Sequence, residues 1–201
     1  YELSDDSGVL LGVNRHNNSL CIVDLFDTAK NKNANLNLIG TSGAGKTFAV
    51  RTWAERLNPN TNRLVYLCLS TVTNMEFYRE LCQGLGVEPG FKKSDMFRDV
   101  QACVRGLVEE RRMRVTIVVD EAHYLQSSVL RDLQMIANFD MDSRDMLAIV
   151  LVGHTVLAQY LSRQPHEALR QRLVVNYRMS GLDEPGTAEY VRSMLLAAGA
   201  D

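Results

Sequence analysis

The stretch Gly40-Thr41-Ser42-Gly43-Ala44-Gly45-Lys46-Thr47 fits the pattern G-x-x-x-x-G-K-[ST], whose chemistry is phosphate binding. Gly40, Gly43 and Gly45 let the backbone wrap closely around an anion with its N–H groups turned inward. A helix starting at this point adds partial positive charge at its N-terminus. The Lys46 ammonium suits the β- and γ-phosphates of a nucleotide, and the Thr47 hydroxyl suits Mg²⁺. With Phe48, these residues form the expected nucleotide-binding set. About seventy residues downstream, the apolar run Val115-Thr116-Ile117-Val118-Val119 ends in Asp120-Glu121. Two acids at the carboxyl end of a buried strand lie where open α/β sheets bind ligands. Asp120 is then the metal partner of Thr47, directly or through water. Glu121 is placed to polarise a water for in-line attack on a γ-phosphate. Together these residues imply Mg²⁺-dependent nucleotide chemistry, and no motif specifies the base.

A third cluster follows. Met146-Leu147-Ala148-Ile149-Val150-Leu151-Val152 reads as a buried strand ending at Gly153-His154-Thr155. In P-loop ATPases with a catalytic Glu beside the metal-binding Asp, such a strand inserts between the two motif strands. A polar residue at its end contacts the attacking water or the γ-phosphate. His154 is the natural occupant and Thr155 the reserve, with helix capping as the alternative. Arg170 and Arg172 sit in a short basic helix over 165–172. Either could act as an arginine finger toward a neighbouring subunit's nucleotide, or both are solvated surface charge. Ala122 and His123 extend the acids to Asp120-Glu121-Ala122-His123, a helicase-like tetrad, but no other helicase motif is present.

The elements that must hold these groups are legible in order. Asn35–Ile39 reads as a strand entering the glycine-rich loop. Ala49, Val50, Trp53, Ala54 and Leu57 follow at helical spacing, and Asn58-Pro59-Asn60 stops that helix. The nearly continuous apolar run 63–70 predicts a strand covered on both faces. Thr73-Asn74-Met75-Glu76 is a capping box opening a helix with Met75, Tyr78, Leu81, Cys82 and Leu85 on one side, closed by Gly86 and Pro89. A helix over 95–112 buries Phe97, Val100, Val104, Leu107 and Val108. Its basic end, Arg105, Arg111, Arg112 and Arg114, is either a solvated complement to the macrodipole or a nucleic-acid contact. Ser127-Ser128 is expected to cap the next helix, and 173–177 is a last strand.

Residues 1–34 read as an N-terminal extension, with strands Gly8–Val13 and Leu20–Val23 around a polar turn holding a solvated His16. Residues 35–181 form the core. The amphipathic stretch 182–201, with Ala188, Val191, Met194 and Leu195, reads as the start of a truncated helical lid. At 201 residues, 46% apolar and 23% charged, the chain can bury a full core. A net charge of −2 gives no bulk pull toward nucleic acid or anionic membrane, although a local basic face stays open. Cys21, Cys68, Cys82 and Cys103 show no C-x-x-C and no nearby His at metal spacing, so core thiols in a reducing compartment are expected. Without a membrane-length apolar run or signal peptide, the expectation is a cytoplasmic protein with no membrane insertion.

From about Trp53 to the end, the chain resembles bacterial AAA+ ATPases of the general-secretion-A-like group, including ATP-binding proteins carried by transposable elements. The stretches that carry it are Leu57-Asn58-Pro59-Asn60, Leu69-Ser70-Thr71-Val72-Thr73-Asn74-Met75-Glu76-Phe77-Tyr78, Val118-Val119-Asp120-Glu121-Ala122-His123, Phe139-Asp140-Met141-Asp142-Ser143 and Glu167-Ala168-Leu169-Arg170-Gln171-Arg172. Residues 1–47 instead resemble the entry into the motor domain of conjugation ATPases from type IV secretion systems, on Gly8–Leu20 and Asn33–Phe48. The chain thus reads as a hybrid joined just after the P-loop. The resemblance implies a three-layer α/β fold of the P-loop NTPase class, with a five-stranded parallel sheet ordered 5-1-4-3-2. It also implies ATP as the nucleotide and a nucleotide-dependent homo-oligomer that engages DNA and a transposase in a mobile element. A conjugation or secretion motor with a channel partner, and a nucleotide-binding switch with negligible hydrolysis, are the alternatives. Relatives usually carry Gln at the position of His154.

Overall fold

The computed structural model describes residues 9–13, 20–23, 35–43, 45–68, 73–139 and 146–179, with 185, 186, 188 and 192. Apolar runs without alternation bury both faces of a strand, and β-branched residues favour the extended backbone. Such runs make two of the three central strands, β5 (Arg114–Asp120) and β6 (Leu147–Gly153), whereas the third, β3 (Asn35–Gly40), alternates Asn with Leu and buries both. With β4 (Asn62–Cys68) and β7 (Leu173–Met179) at the edges, the sheet is ordered β4-β5-β6-β3-β7. All four pairings are parallel. Numbering these five strands alone from one to five reproduces the expected 5-1-4-3-2, read from the other edge. Upstream, β1 (Val9–Val13) and β2 (Leu20–Val23) pair antiparallel as a separate hairpin.

Helices cover the two faces unequally. On one side α1 (Lys46–Arg56) sets Val50 and Trp53 against Leu36, Leu38, Val118, Ala148, Val150 and Val152. The other side carries the larger core, built from α2 (Asn74–Leu85), α3 (Lys93–Glu109), α4 (Ser127–Ile136), α5 (Val156–Leu161) and α6 (Glu167–Arg172). The capping box forms as expected: Thr73 Oγ1 accepts from Glu76 N at 3.3 Å, and Glu76 Oε2 accepts from Thr73 N at 2.7 Å. The Thr73 N–H, and next its hydroxyl, donating to that carboxylate hold it below its ordinary range. Gly86 closes α2 in the left-handed conformation, φ 79°.

Three expectations need correction. The run 63–70 is not covered on both faces: β4 is an edge strand in which Val65 and Leu67 are buried while Tyr66 and Cys68 face outward. Cys68 is therefore an exposed thiol rather than a core one. Ser127 and Ser128 do not cap α4, whose N-cap is Gln126 with no side-chain bond. They tie α4 to other elements, Ser128 Oγ donating to Asn74 Oδ1 at 2.7 Å and Ser127 Oγ lying 3.1 Å from His166 Nε2. Buried Asp132 completes the first of these ties by accepting from Asn74 Nδ2 and pairing with Lys93 Nζ at 2.7 Å. The helix expected over 95–112 runs instead from Lys93 to Glu109, with Arg105 and Glu109 3.9 Å apart. The polar turn with His16, residues 140–145 and most of the stretch 182–201 lie outside the described residues.

Two measurements check this packing. A Cβ on Gly84 of α2 would stand 2.4 Å from Val65 Cγ1. Gly84→Ala should therefore destabilise by about 1–2 kcal/mol, overpacking outweighing the helix-propensity gain of roughly 1 kcal/mol. In urea denaturation, the double variant with Val65→Ala should lose less than the sum of the two single changes. His166 is buried, its Nδ1 lacks a partner, and burial followed by Arg131 and Arg163 lowers its pKa from 6.5. The unfolded chain then binds the extra proton first, so stability falls as pH drops below about 6.5. Replacing His166 with Gln should flatten that part of the stability–pH curve.

Candidate functional site

The sheet order brings the ends of β3, β5 and β6 to one edge, with β6 between the other two. β3 ends at Gly40, and the loop reaches α1 through Gly43 at φ 77° and Gly45 at φ 79°. These left-handed angles exclude a Cβ without strain. Gly45 is the N-cap of α1 and supplies no side-chain bond, and the first turn carries no acid. The leading N–H groups of the helix are thus left for an anion. Lys46, only 8% exposed, donates from Nζ to the carbonyls of Gly40 at 3.0 Å and Thr41 at 2.9 Å. Its charge is held at the mouth of the loop. Ala44 lies outside the described residues.

Asp120 is the hub. It is 2% exposed, and its Oδ2 accepts from Thr47 Oγ1 at 2.8 Å and from Tyr66 OH at 2.5 Å. Its Oδ1 accepts from the backbone N–H of Glu121 at 2.8 Å. Burial, and next the bond to Asp120, push the Tyr66 phenol far above its ordinary pKa, so it stays protonated and donates. The Thr47 hydroxyl and Asp120 carboxylate are hard oxygen donors from two elements meeting at one point. That donor set fits Mg²⁺, which keeps several waters and takes few protein ligands.

Glu121 turns the chain away from β5 in the left-handed region, φ 53°, at a cost of about 1–2 kcal/mol for a residue with a Cβ. A bond from Tyr124 N to Glu121 O at 2.9 Å closes this turn into the short 3-10 segment Ala122–Tyr124. The Glu121 carboxylate, 44% exposed, borders a cleft of about 530 Å³. Ser42, Gly43, Gly45, Lys46, Thr47, Phe48, His123, Tyr124 and His154 line the rest of it. His154 stands one residue past β6, with Nδ1 3.2 Å from Thr155 Oγ1. Thr155 occupies the N-cap of α5 without a side-chain capping bond, so capping does not account for it.

Arg170 and Arg172 are not in this cleft. α6 leads into the N-terminal end of β7, the opposite edge of the sheet, and the Arg172 carbonyl accepts from Asn35 Nδ2 at 3.3 Å. The length of β3, roughly 17–20 Å at the usual rise, separates that point from Gly40. Arg170 is exposed, and Arg172 Nη1 donates to the Gln134 carbonyl at 3.4 Å. Neither can reach the phosphate loop of its own chain.

Two residues of the site escaped the sequence reading, Tyr66 beside Asp120 and His123 in the cleft. Tyr66 is found only through the β4–β5 register, Tyr66 opposite Val118 and Cys68 opposite Asp120, which no local pattern encodes. His123 was visible as part of the acidic tetrad but had no partner until β6 was placed beside it. Its Nδ1 lies 3.3 Å from Glu121 Oε2 and accepts from the His154 N–H at 3.3 Å.

With this geometry in place, likeness to known proteins becomes informative. The family described as AAA domain matches residues 30–161, one continuous stretch through the phosphate loop and the acidic strand. General secretion pathway protein A of Aeromonas hydrophila is 28% identical over 167 residues, covering 81% of this chain and 30% of that protein. Among solved structures, Cdc6p of Pyrobaculum aerophilum superposes with a TM-score of 0.66 at 19% identity, over 83% of this chain and 44% of that one. The Aeropyrum pernix ORC1 protein, solved in complex with DNA, gives a TM-score of 0.58 at 17% identity, over 79% and 42%. The chain spans less than half the length of each of these proteins. The family match takes in most of the chain, so the protein belongs to the AAA domain family. That family comprises ATP hydrolases, the enzyme class the motifs anticipate.

Tyr66→Phe removes one donor from Asp120 and nothing else. Folding stability should fall by about 1–3 kcal/mol, the cost of removing one bond to a buried charge. The Mg²⁺ concentration giving half-maximal binding of a fluorescent ATP analogue should rise about tenfold, because a lost outer partner loosens the metal ligand.

Proposed function

We propose that this AAA domain binds ATP with Mg²⁺ and hydrolyses it, and that the nucleotide cycle gates assembly of several copies on DNA beside a transposase. The observation that carries the catalytic part is the Lys46–Thr47–Asp120–Glu121 constellation around one cleft. The loop N–H groups and the Lys46 ammonium bind the phosphates. Thr47 and Asp120 would hold Mg²⁺, which when bound would supply charge neutralisation at the phosphate oxygens. Glu121 accepts a proton from the attacking water, and His154 contacts the γ-phosphate or that water. Arg170 or Arg172, beyond reach of its own cleft, serves the nucleotide of the next copy, which makes the complete site a property of the oligomer.

DNA as partner draws support from the Aeropyrum pernix protein solved with DNA, and the transposase from the resemblance of residues 53–201 to transposon-borne ATPases. No helix among the described residues is long and apolar enough to cross a membrane. The relative named General secretion pathway protein A favours a second reading, an ATPase coupled to secretion.

The test is steady-state phosphate release from Mg²⁺–ATP, with and without duplex DNA. Glu121→Gln should lower turnover by about 10²–10⁴-fold while retaining ATP, as expected for loss of a general base. Lys46→Ala should lose both affinity and turnover. Stimulation of the wild type by DNA supports the transposition reading, and turnover indifferent to DNA favours the secretion one. Lys46→Ala with wild-type affinity and turnover would falsify the site itself.

A further inference from the structure

We infer that His123 is a positioning residue that ties Glu121 to the end of β6, so that contact at His154 is felt by the base. This rests on Glu121 being the base, as proposed above. The tie is a competition for one atom. His123 Nδ1 accepts the backbone N–H of His154 at 3.3 Å and stands 3.3 Å from Glu121 Oε2. A nitrogen that accepts the amide proton through its lone pair carries no proton, so the ring proton is then on Nε2. In that arrangement Nδ1 cannot donate to Glu121; the ring, anchored on the β6 amide, instead walls one side of the carboxylate and its lone pair turns Oε2 toward the water. If the end of β6 withdraws its amide, Nδ1 can take up the proton and bond Glu121 instead. The two partners exclude one another.

The surroundings restrict the ring to this role. His123 is 16% exposed and stacks on Tyr124 at 4.1 Å between ring centroids. The His154 ring is 6.0 Å away. β6 ends in Gly153, where a Cβ would stand 3.0 Å from Leu157 Cδ2, 3.4 Å from His123 N and 3.5 Å from His123 Nδ1. A side chain there would crowd Leu157 and only touch the 122–124 turn, which lies directly against the strand end. Glu121 itself is pinned by its left-handed backbone and by its own N–H on Asp120. The carboxylate thus stands between a fixed metal ligand on one side and a ring answering to His154 on the other.

The experiment uses the full chain with ATP and compares His123→Ala, His123→Asn and the Glu121→Gln control. His123→Ala should lower single-turnover hydrolysis about 10–100-fold, the usual loss for an orienting partner, with ATP affinity changed less than about twofold. His123→Asn, whose amide oxygen can accept from the His154 N–H, should recover most of that rate. Nitrogen NMR of the wild-type imidazole should show an unprotonated Nδ1, and its signal should shift when a non-hydrolysable ATP analogue is added. Unchanged turnover in His123→Ala, no recovery in a folded His123→Asn, or an Nδ1 signal indifferent to the analogue each overturns the inference. Wild-type turnover in Glu121→Gln instead removes the base assignment on which it stands. Because the NMR reading is taken on the unmodified chain, a variant that fails to fold does not shield the idea.

Discussion

The Asp120 carboxylate is the constraint on which the rest of the structure depends. A buried carboxylate without partners is strongly disfavoured, and here three donors from three elements converge on it. Thr47 fixes the start of α1, Tyr66 the register of edge strand β4, and the Glu121 amide the turn beyond β5. Slipping β4 by one residue would turn Tyr66 away from Asp120 and drive its phenol into the core face that Val65 and Leu67 now fill. The same bond network therefore specifies a sheet register and a chemical site. Folding errors and functional errors coincide at this point.

Much of this was legible because the signals are local. The glycine-rich loop needs left-handed angles that only certain residues tolerate, and the capping box at Thr73 and Glu76 is written within four positions. Apolar runs without alternation marked β5 and β6, the place before the glycine-rich loop marked β3, and the sheet order followed from the resemblance that the phosphate loop and acidic strand help to carry. What failed was non-local. The run 63–70 looked like a buried strand because composition cannot tell an edge strand with an aromatic over its exposed face from a central one. Ser127 and Ser128 looked like caps, yet Asn74 and His166 lie far away in sequence and near in space. Tyr66 and His123 gain meaning only once strands that are distant in the chain become neighbours.

The placement of the arginines also separates the chain from its function. Phosphate loop, metal ligands and base share one edge of the sheet, whereas α6 lies at the other. On the finger role proposed for Arg170 or Arg172, a single copy holds both halves of an assembled site and cannot join them. Head-to-tail contact between identical copies would do so, an arrangement that propagates into a ring or a filament according to the rotation between neighbours. Nucleotide occupancy and assembly would then be linked through geometry alone.

The left-handed backbone at Glu121 has a consequence for how this protein can change. Glycine would relax that angle at once, and asparagine would tolerate it better than glutamate. Random mutagenesis scored only for thermal resistance would thus enrich replacements that, on the role proposed for Glu121, silence the chemistry. Selection for hydrolysis must work against this local preference in every generation, and a lineage released from that demand would be expected to lose its glutamate early, while its sheet and phosphate loop persisted.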